Sequence, residues 1–405
     1  MNVIVGQSGG PTAVINASLA GVFETAKSVG AKRVYGMRNG ISGVLTENFI
    51  DLDAVLDTSE KVALLKRTPS AYLGSCRHKL KPVDVNPTEY EKIFSVLNKY
   101  EIGYFFYIGG NDSMDTISKL SAYGKQIGSP ICFVGIPKTI DNDLMVTDHT
   151  PGFGSAAKFV ATTLKEIIRD STVYDMKSLT IVEIMGRNAG WLTAASALAK
   201  GADCEGVDMI YLPETTFDLD KFMDKIVEKQ KTKGNLIIAV SESLKVADGR
   251  YVCELADSAQ EEDSFGHKRL TGSARFLADE CAKRLGVKTR AIELSTLQRC
   301  ASHSASLTDI TEAYRVGEAA VEAAAAGKSC VAVILVRKSN APYQCDTDVV
   351  DVAMLANHEK CIPSAWIDEE NATMRAEFLE YARPLIQGEL TPVYVDGLPC
   401  HLQKV

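Results

Sequence analysis

Short, almost uninterrupted apolar runs recur along the chain at 2–5, 33–37, 104–108, 131–136, 179–184, 236–240 and 331–336. Runs of this length without an alternating polar face predict strands of a parallel sheet buried on both sides. Between them the spacing turns helical. Across 156–169, for example, Phe159, Val160, Thr163, Leu164, Ile167 and Ile168 fall close to one face of a helix. Alternating strand and helix predict an α/β fold of doubly wound type, built on mainly parallel sheet. An alanine-rich helix over 311–327 leads into the last apolar run, and the polar remainder from Asn340 reads as an appended segment.

Open parallel sheets bind ligands beyond the carboxyl ends of their strands, so chemistry is sought in the residues that follow each apolar run. Four of these turns are unusual: Gly6-Gln-Ser-Gly-Gly-Pro-Thr12, Gly109-Gly-Asn-Asp-Ser113, Pro137-Lys-Thr-Ile-Asp-Asn-Asp143 and Met185-Gly-Arg187. The first precedes a helix expected to begin near Thr12, a geometry that favours phosphate, although a Gly-Gly turn after a strand is often no more than a tight turn. In the second, paired glycines allow close backbone approach and Asn111 and Asp112 could hold a cation, while Asp112 or Ser113 would also suit a helix N-cap. The third sets a lysine and two carboxylates within seven residues at a strand end, where burial can tune one carboxylate as a general base. Arg77, Arg187, Arg290 and Arg299 could supply guanidinium donors to phosphate, and each could equally be a surface arginine. Gly327-Lys-Ser329 ends like a Walker loop, but Glu322 stands where that loop needs glycine and the segment follows a helix, so it is set aside.

Composition narrows the classes. At 405 residues the length suggests two packed domains, and 46% hydrophobic with 24% charged residues describes a globular enzyme rather than a disordered or fibrous chain. A net charge of -8 opposes binding to nucleic acid or to an anionic membrane, so any anionic ligand needs a locally basic pocket. The ten cysteines show no C-x-x-C pair and no zinc-type spacing, which predicts reduced thiols in the cytoplasm. Neither a signal peptide nor a membrane-length apolar run is expected.

Ser8-Gly-Gly-Pro11, Gly109-Gly-Asn-Asp-Ser113, Pro137-Lys-Thr-Ile-Asp-Asn-Asp143, Met185-Gly-Arg187 and Gln298-Arg299 together, in this order, resemble the phosphofructokinase family over residues 1 to about 300. Tyr381-Ala-Arg-Pro-Leu-Ile386 looks like the C-terminal segment of longer, pyrophosphate-using members. The resemblance implies two Rossmann-like domains with the active site in the cleft between them. A donor domain would take 1–140 plus about 300–340, a sugar-phosphate domain 141–299 and an extension 341–405, in a chain that forms a homodimer. It implies reversible, Mg²⁺-dependent phosphoryl transfer to the C1 hydroxyl of fructose 6-phosphate, as in glycolysis and gluconeogenesis.

Carried onto this chain, the resemblance makes Asp141 the base that takes the C1 hydroxyl proton, flanked by Thr139 and Asp143, with Asp143 and Asn111 organising the metal. Met185, Gly186 and Arg187 would line the sugar, Glu242 would bond a sugar hydroxyl, and Arg290 and Arg299, beside Thr296, would grip the 6-phosphate. Gly9, Gly10, Gly110, Asn111 and Ser113 would lie along the donor, and Arg77 would face the transferring group. ATP-using members commonly have glycine at Asp112 and often at Lys138. A carboxylate at Asp112 would repel a nucleotide α-phosphate about 4 Å away by roughly 4 kcal/mol at an effective dielectric near 20, and an ammonium at Lys138 would favour the departing phosphate, so pyrophosphate is the expected donor.

The sequence departs from the family pattern at Asn111 (usually aspartate), Thr296 (commonly His or Tyr) and Ser178 (in many members an arginine that reaches across a subunit interface). Leu19 and Phe23 stand where regulated bacterial members carry effector-binding arginines, so no allosteric response to nucleotides is expected. The alternatives are an ATP-dependent enzyme, or a non-catalytic regulatory subunit of the same fold. Asp141, Asp143 and Lys138 occurring together favour an active enzyme over the latter.

Overall fold

The computed structural model describes residues 1–255, 270–356 and 358–404. Numbered in chain order, the strands are β1 (Asn2–Gln7), β2 (Val34–Met37), β3 (Phe49–Asp51), β4 (Ile102–Gly109), β5 (Cys132–Pro137), β6 (Ser178–Ile184), β7 (Met209–Tyr211), β8 (Asn235–Ser241), β9 (Lys288–Glu293), β10 (Val331–Asn340) and β11 (Tyr343–Asp351), and the seven apolar runs form all of these but β3, β7, β9 and β11. A seven-stranded sheet runs in the order β11-β10-β5-β4-β1-β2-β3, parallel from β10 to β2 and antiparallel at both edges. A four-stranded, wholly parallel sheet runs β9-β6-β8-β7. All six residues of β1 are buried, as are the last six of β8, because helices cover both faces.

Between β5 and β6 in the chain runs a helix over Phe153–Ser171, whose buried face carries Phe153, Ala156, Ala157, Val160, Leu164 and Ile168 and packs in the cluster beside the smaller sheet. It begins after Gly152 at φ +112°, where a Cβ would lie 2.7 Å from Thr12 Cγ2, so only glycine fits the entry. Its start is capped from a distance: the buried Asp309 carboxylate accepts from the N–H of Gly152 at 2.9 Å and of Ser155 at 2.8 Å. Asp309 lies in the first turn of the helix Leu307–Ala325, so the cap ties this chain segment to the polypeptide that feeds β10.

Two expectations are corrected. The first helix starts at Ile15 instead of near Thr12, because Thr12 Oγ1 accepts from the Val14 N–H and holds 12–14 as a turn. The segment beyond Asn340 is not simply appended. β11 pairs along the whole of β10, and the later helix Ala376–Ala382 buries Phe378, Tyr381 and Ala382 in the apolar cluster beside the smaller sheet, with Tyr381 at 5.3 Å from Trp191 between ring centroids.

Candidate active site

The register Gln7 with Ile108 and Gly109 with Pro137 brings the ends of β1, β4 and β5 level, so three of the polar turns lie side by side. Gly9 has φ +74°, and a Cβ built there would sit 3.4 Å from Lys138 Nζ, while one on Gly10 would sit 3.3 Å from Arg299 Nη1. The turn is thus a narrow cradle with two cations against its backbone. Lys138 is 2% exposed and its ammonium donates to the Gly10 carbonyl at 2.5 Å. Burial pushes its pKa down to about 8, against the pull of Asp141. Ser75 Oγ donates to the Gly9 carbonyl at 2.7 Å, which draws the loop carrying the exposed Arg77 to the same turn.

The next turn leads into the helix Asn111–Gln126, whose N-cap is Gly110 and not Asp112 or Ser113. A Cβ on Gly109 would fall on Ser113 Oγ, so that close contact replaces the side-chain cap. Ser113 is buried, whereas the Asp112 carboxylate is half exposed and pairs with Lys79 at 3.3 Å. Asn111 Oδ1 is buried without a hydrogen-bond partner among the described residues.

Beyond Lys138, Thr139 Oγ1 accepts from the Asp141 N–H at 3.1 Å. Burial raises the Asp141 pKa, and Arg187, Lys138 and Arg299 pull against it, so three cations converge on this carboxylate. Burial also raises Asp143, reinforced by the Asp141 charge beside it. Asn142 between them is fully buried at φ +55°.

The opposite wall comes from the smaller sheet. After β6, Gly186 and Arg187 take φ +151° and +33°, an unusual conformation for an arginine. It is held by Glu242 at the end of β8, whose Oε1 accepts from the Gly186 and Arg187 N–H groups at 3.2 Å each. Burial raises Glu242 to about 7. Gln298 Oε1 accepts from the Met185 N–H at 3.3 Å and so fixes the short helix Leu297–Cys300 that carries Arg299.

The structure therefore gathers Gly9, Gly10, Lys138, Asp141, Asp143, Arg187 and Arg299 at one cleft, with Met185, Gly186 and Glu242 forming its far side. It does not bring Arg290 there within one chain. Arg290 lies on the edge strand β9 opposite Thr180, exposed, with its guanidinium 3.3 Å from Asp170. Thr296 is exposed in the turn before Arg299. Sequence reasoning assigned nothing to Asn142, although it sits inside a quoted motif, and nothing to Lys360, which donates its backbone N–H to the Asp143 carbonyl at 2.7 Å.

The sequence profile described as Phosphofructokinase matches residues 2–324. The chain belongs to the phosphofructokinase family. A relative from Methylococcus capsulatus, named pyrophosphate–fructose 6-phosphate 1-phosphotransferase, is 43% identical over 98% of this chain and 94% of its own length. Among solved structures, the pyrophosphate-dependent phosphofructokinase of Nitrosospira multiformis superposes at TM-score 0.88 with 40% identity, covering 100% of this chain and 97% of that one. That of Marinobacter aquaeolei does so at 0.88 with 37% identity, covering 99% and 95%. Leu19 and Phe23 are both buried in the core.

Proposed function

We propose that the chain catalyses reversible transfer of a phosphoryl group from pyrophosphate to the C1 hydroxyl of fructose 6-phosphate, giving fructose 1,6-bisphosphate and phosphate. The observation that carries this reading is the buried Lys138 ammonium, set against the Gly9–Gly10 turn and facing the Asp141 carboxylate. The names of the relatives support the same donor and acceptor.

In the forward direction the C1 oxygen bonds to the terminal phosphorus of pyrophosphate as the bridging P–O bond breaks, and the hydroxyl proton passes to Asp141. In this reading Lys138 meets the charge that gathers on the departing phosphate and Arg77 faces the transferring group, so they act on the transition state more than on the ground state. Met185, Gly186, Arg187 and Glu242 orient the sugar; Arg299, the residue the resemblance gives to the 6-phosphate, has its guanidinium against Gly10 and beside Asp141, between the donor turn and the sugar. The buried Asn111 Oδ1, which has no hydrogen-bond partner among the described residues, and the Asp143 carboxylate offer hard oxygen donors of the kind Mg²⁺ takes, and they are the residues that would hold it. Bound there, Mg²⁺ would neutralise phosphate charge.

Arg290 supports a homodimer. It lies two rungs along from Ser178 on the same face of the sheet, where many members present an arginine to the neighbouring subunit, and it is free of the cleft of its own chain. A solution mass near twice 43.8 kDa is expected by light scattering, and a 43.8 kDa monomer that retains full activity would exclude this arrangement. The two sheets support a division into a donor-binding and a sugar-binding body.

The deciding experiment offers pyrophosphate and ATP separately with fructose 6-phosphate and Mg²⁺. Product from pyrophosphate alone is expected, and Asp112→Gly should open measurable use of ATP. Turnover chiefly with ATP in the unaltered enzyme would overturn the donor assignment. No gain in the variant would show that Asp112, which here faces Lys79 and solvent, does not select the donor.

A further inference from the structure

The loop 139–150 that carries Asp141 and Asp143 has no regular secondary structure of its own, and it is held by hydrogen bonds within it and from the C-terminal segment. The central residue, Asn142, is buried in the left-handed region, which turns the chain between the two carboxylates. Its Oδ1 accepts from the Thr150 N–H at 3.0 Å, closing the loop on itself, and Thr150 Oγ1 donates to the Thr139 carbonyl at 2.8 Å. Its Nδ2 donates to Tyr381 Oη at 2.8 Å, and that hydroxyl donates in turn to the Asp148 carbonyl at 2.8 Å. One phenol oxygen therefore spans the two ends of the loop. A second tie comes from Lys360: its N–H donates to the Asp143 carbonyl at 2.7 Å, and its ammonium donates to the carbonyls of Thr147 and Asp148 at 3.1 and 2.8 Å. A bridge between Leu144 and Glu359 extends this contact, and Glu359 accepts from Asn188 next to Arg187.

Tyr381 and Lys360 both lie beyond residue 324, where the family profile ends. We propose that they are positioning residues for phosphoryl transfer: through Tyr381 the C-terminal segment holds Asn142, through Lys360 it holds the carbonyls of Asp143, Thr147 and Asp148, and together they set the two carboxylates flanking Asn142 in the cleft. Neither touches a reacting group. Their effect follows from the steep dependence of rate on the placement of a base and from the cost of leaving the buried Asn142 amide unpaired. The inference rests on the proposed function of this loop.

The test is Tyr381→Phe in the full-length enzyme, with Lys360→Met as a second variant. Tyr381→Phe keeps the ring between Trp191 and Trp366 and removes one oxygen. Expected is a fall in kcat of about tenfold or more per folded enzyme, with KM for pyrophosphate and fructose 6-phosphate within about twofold of the parent. Amide hydrogen exchange should accelerate in the peptide covering 139–150. An unchanged kcat per folded enzyme, with the activity loss tracking only the folded fraction by circular dichroism, would overturn the proposal and leave Tyr381 a packing residue. So would unchanged exchange in 139–150 in both variants. The exchange readout needs no substrate, so failure of the parent enzyme to use pyrophosphate would sink the donor assignment while exchange still decides the role of Tyr381.

Discussion

Asp141→Asn is expected to lower kcat by roughly 10²–10⁴-fold, the usual weight of a positioned general base, with little change in KM for either substrate. The carboxamide is nearly isosteric, and the Thr139 contact survives because it is made by the backbone N–H of residue 141. Arg187, Lys138 and Arg299 lose a counter-charge, which leaves the cleft more positive and holds the anionic substrates at least as well. Initial rates of fructose 1,6-bisphosphate formation check this, and turnover near the parent value would remove Asp141 as the base. The same substitution should stabilise the protein. The Asp141 pKa is raised in the folded state even after the pull of three cations, so its contribution to stability is present below the unfolded value near 4 and is lost as pH rises through the folded pKa. Removing the charge should therefore raise the melting temperature at pH 8, with the gain shrinking towards pH 4. An equal or lower melting temperature at pH 8 would contradict the burial argument. Activity and stability pull against each other at this residue.

The parallel strands were legible because both faces are buried: the apolar run 131–136 becomes Cys132–Pro137, shifted by a single residue. β11 was not, and its sequence shows why. Tyr-Gln-Cys-Asp-Thr-Asp-Val-Val-Asp is an edge strand of which only Cys345 is buried, so its polar residues read as a solvated tail. The polar turns proposed for catalysis were legible for the complementary reason that glycine, lysine and paired aspartates are rare after such apolar strands. Gly9, Lys138 and Asp141 converge as the fold class requires, since the strand ends of a parallel sheet must lie together. Lys360 left no such signal. It sits in His-Glu-Lys-Cys, a stretch indistinguishable from a charged surface turn, and its burial depends on contacts with a loop some 210 residues away. Arg290 was carried over by resemblance alone, and within one chain its guanidinium faces Asp170 on the surface.

Lys138→Met should cost roughly 10²–10³-fold in kcat, comparable to removing one preorganised donor from a site of developing charge. Methionine keeps the apolar stem as far as Cε and ends one atom short of Nζ, so most of the buried volume beside Gly9 and Gly10 remains filled while the ammonium is lost. In a chain of net charge -8 the cations at this cleft have a specific task, because two polyanionic substrates must meet there. Lys138 differs from Arg187 in being almost fully buried, where water screens its charge least and burial brings its pKa down to about 8. The ammonium is therefore lost as pH rises through about 8, and kcat/KM of the parent enzyme should decline on that side. In Lys138→Met the residual activity should keep its acid limb, expected from the proposed base Asp141, and lose the alkaline one. A variant with unchanged kcat would make Lys138 a structural tie to the Gly10 carbonyl, and a variant that is slow but retains the limb near 8 would assign that titration to another group. Loss of both rate and limb together would tie the pH dependence and the transition-state charge to one nitrogen.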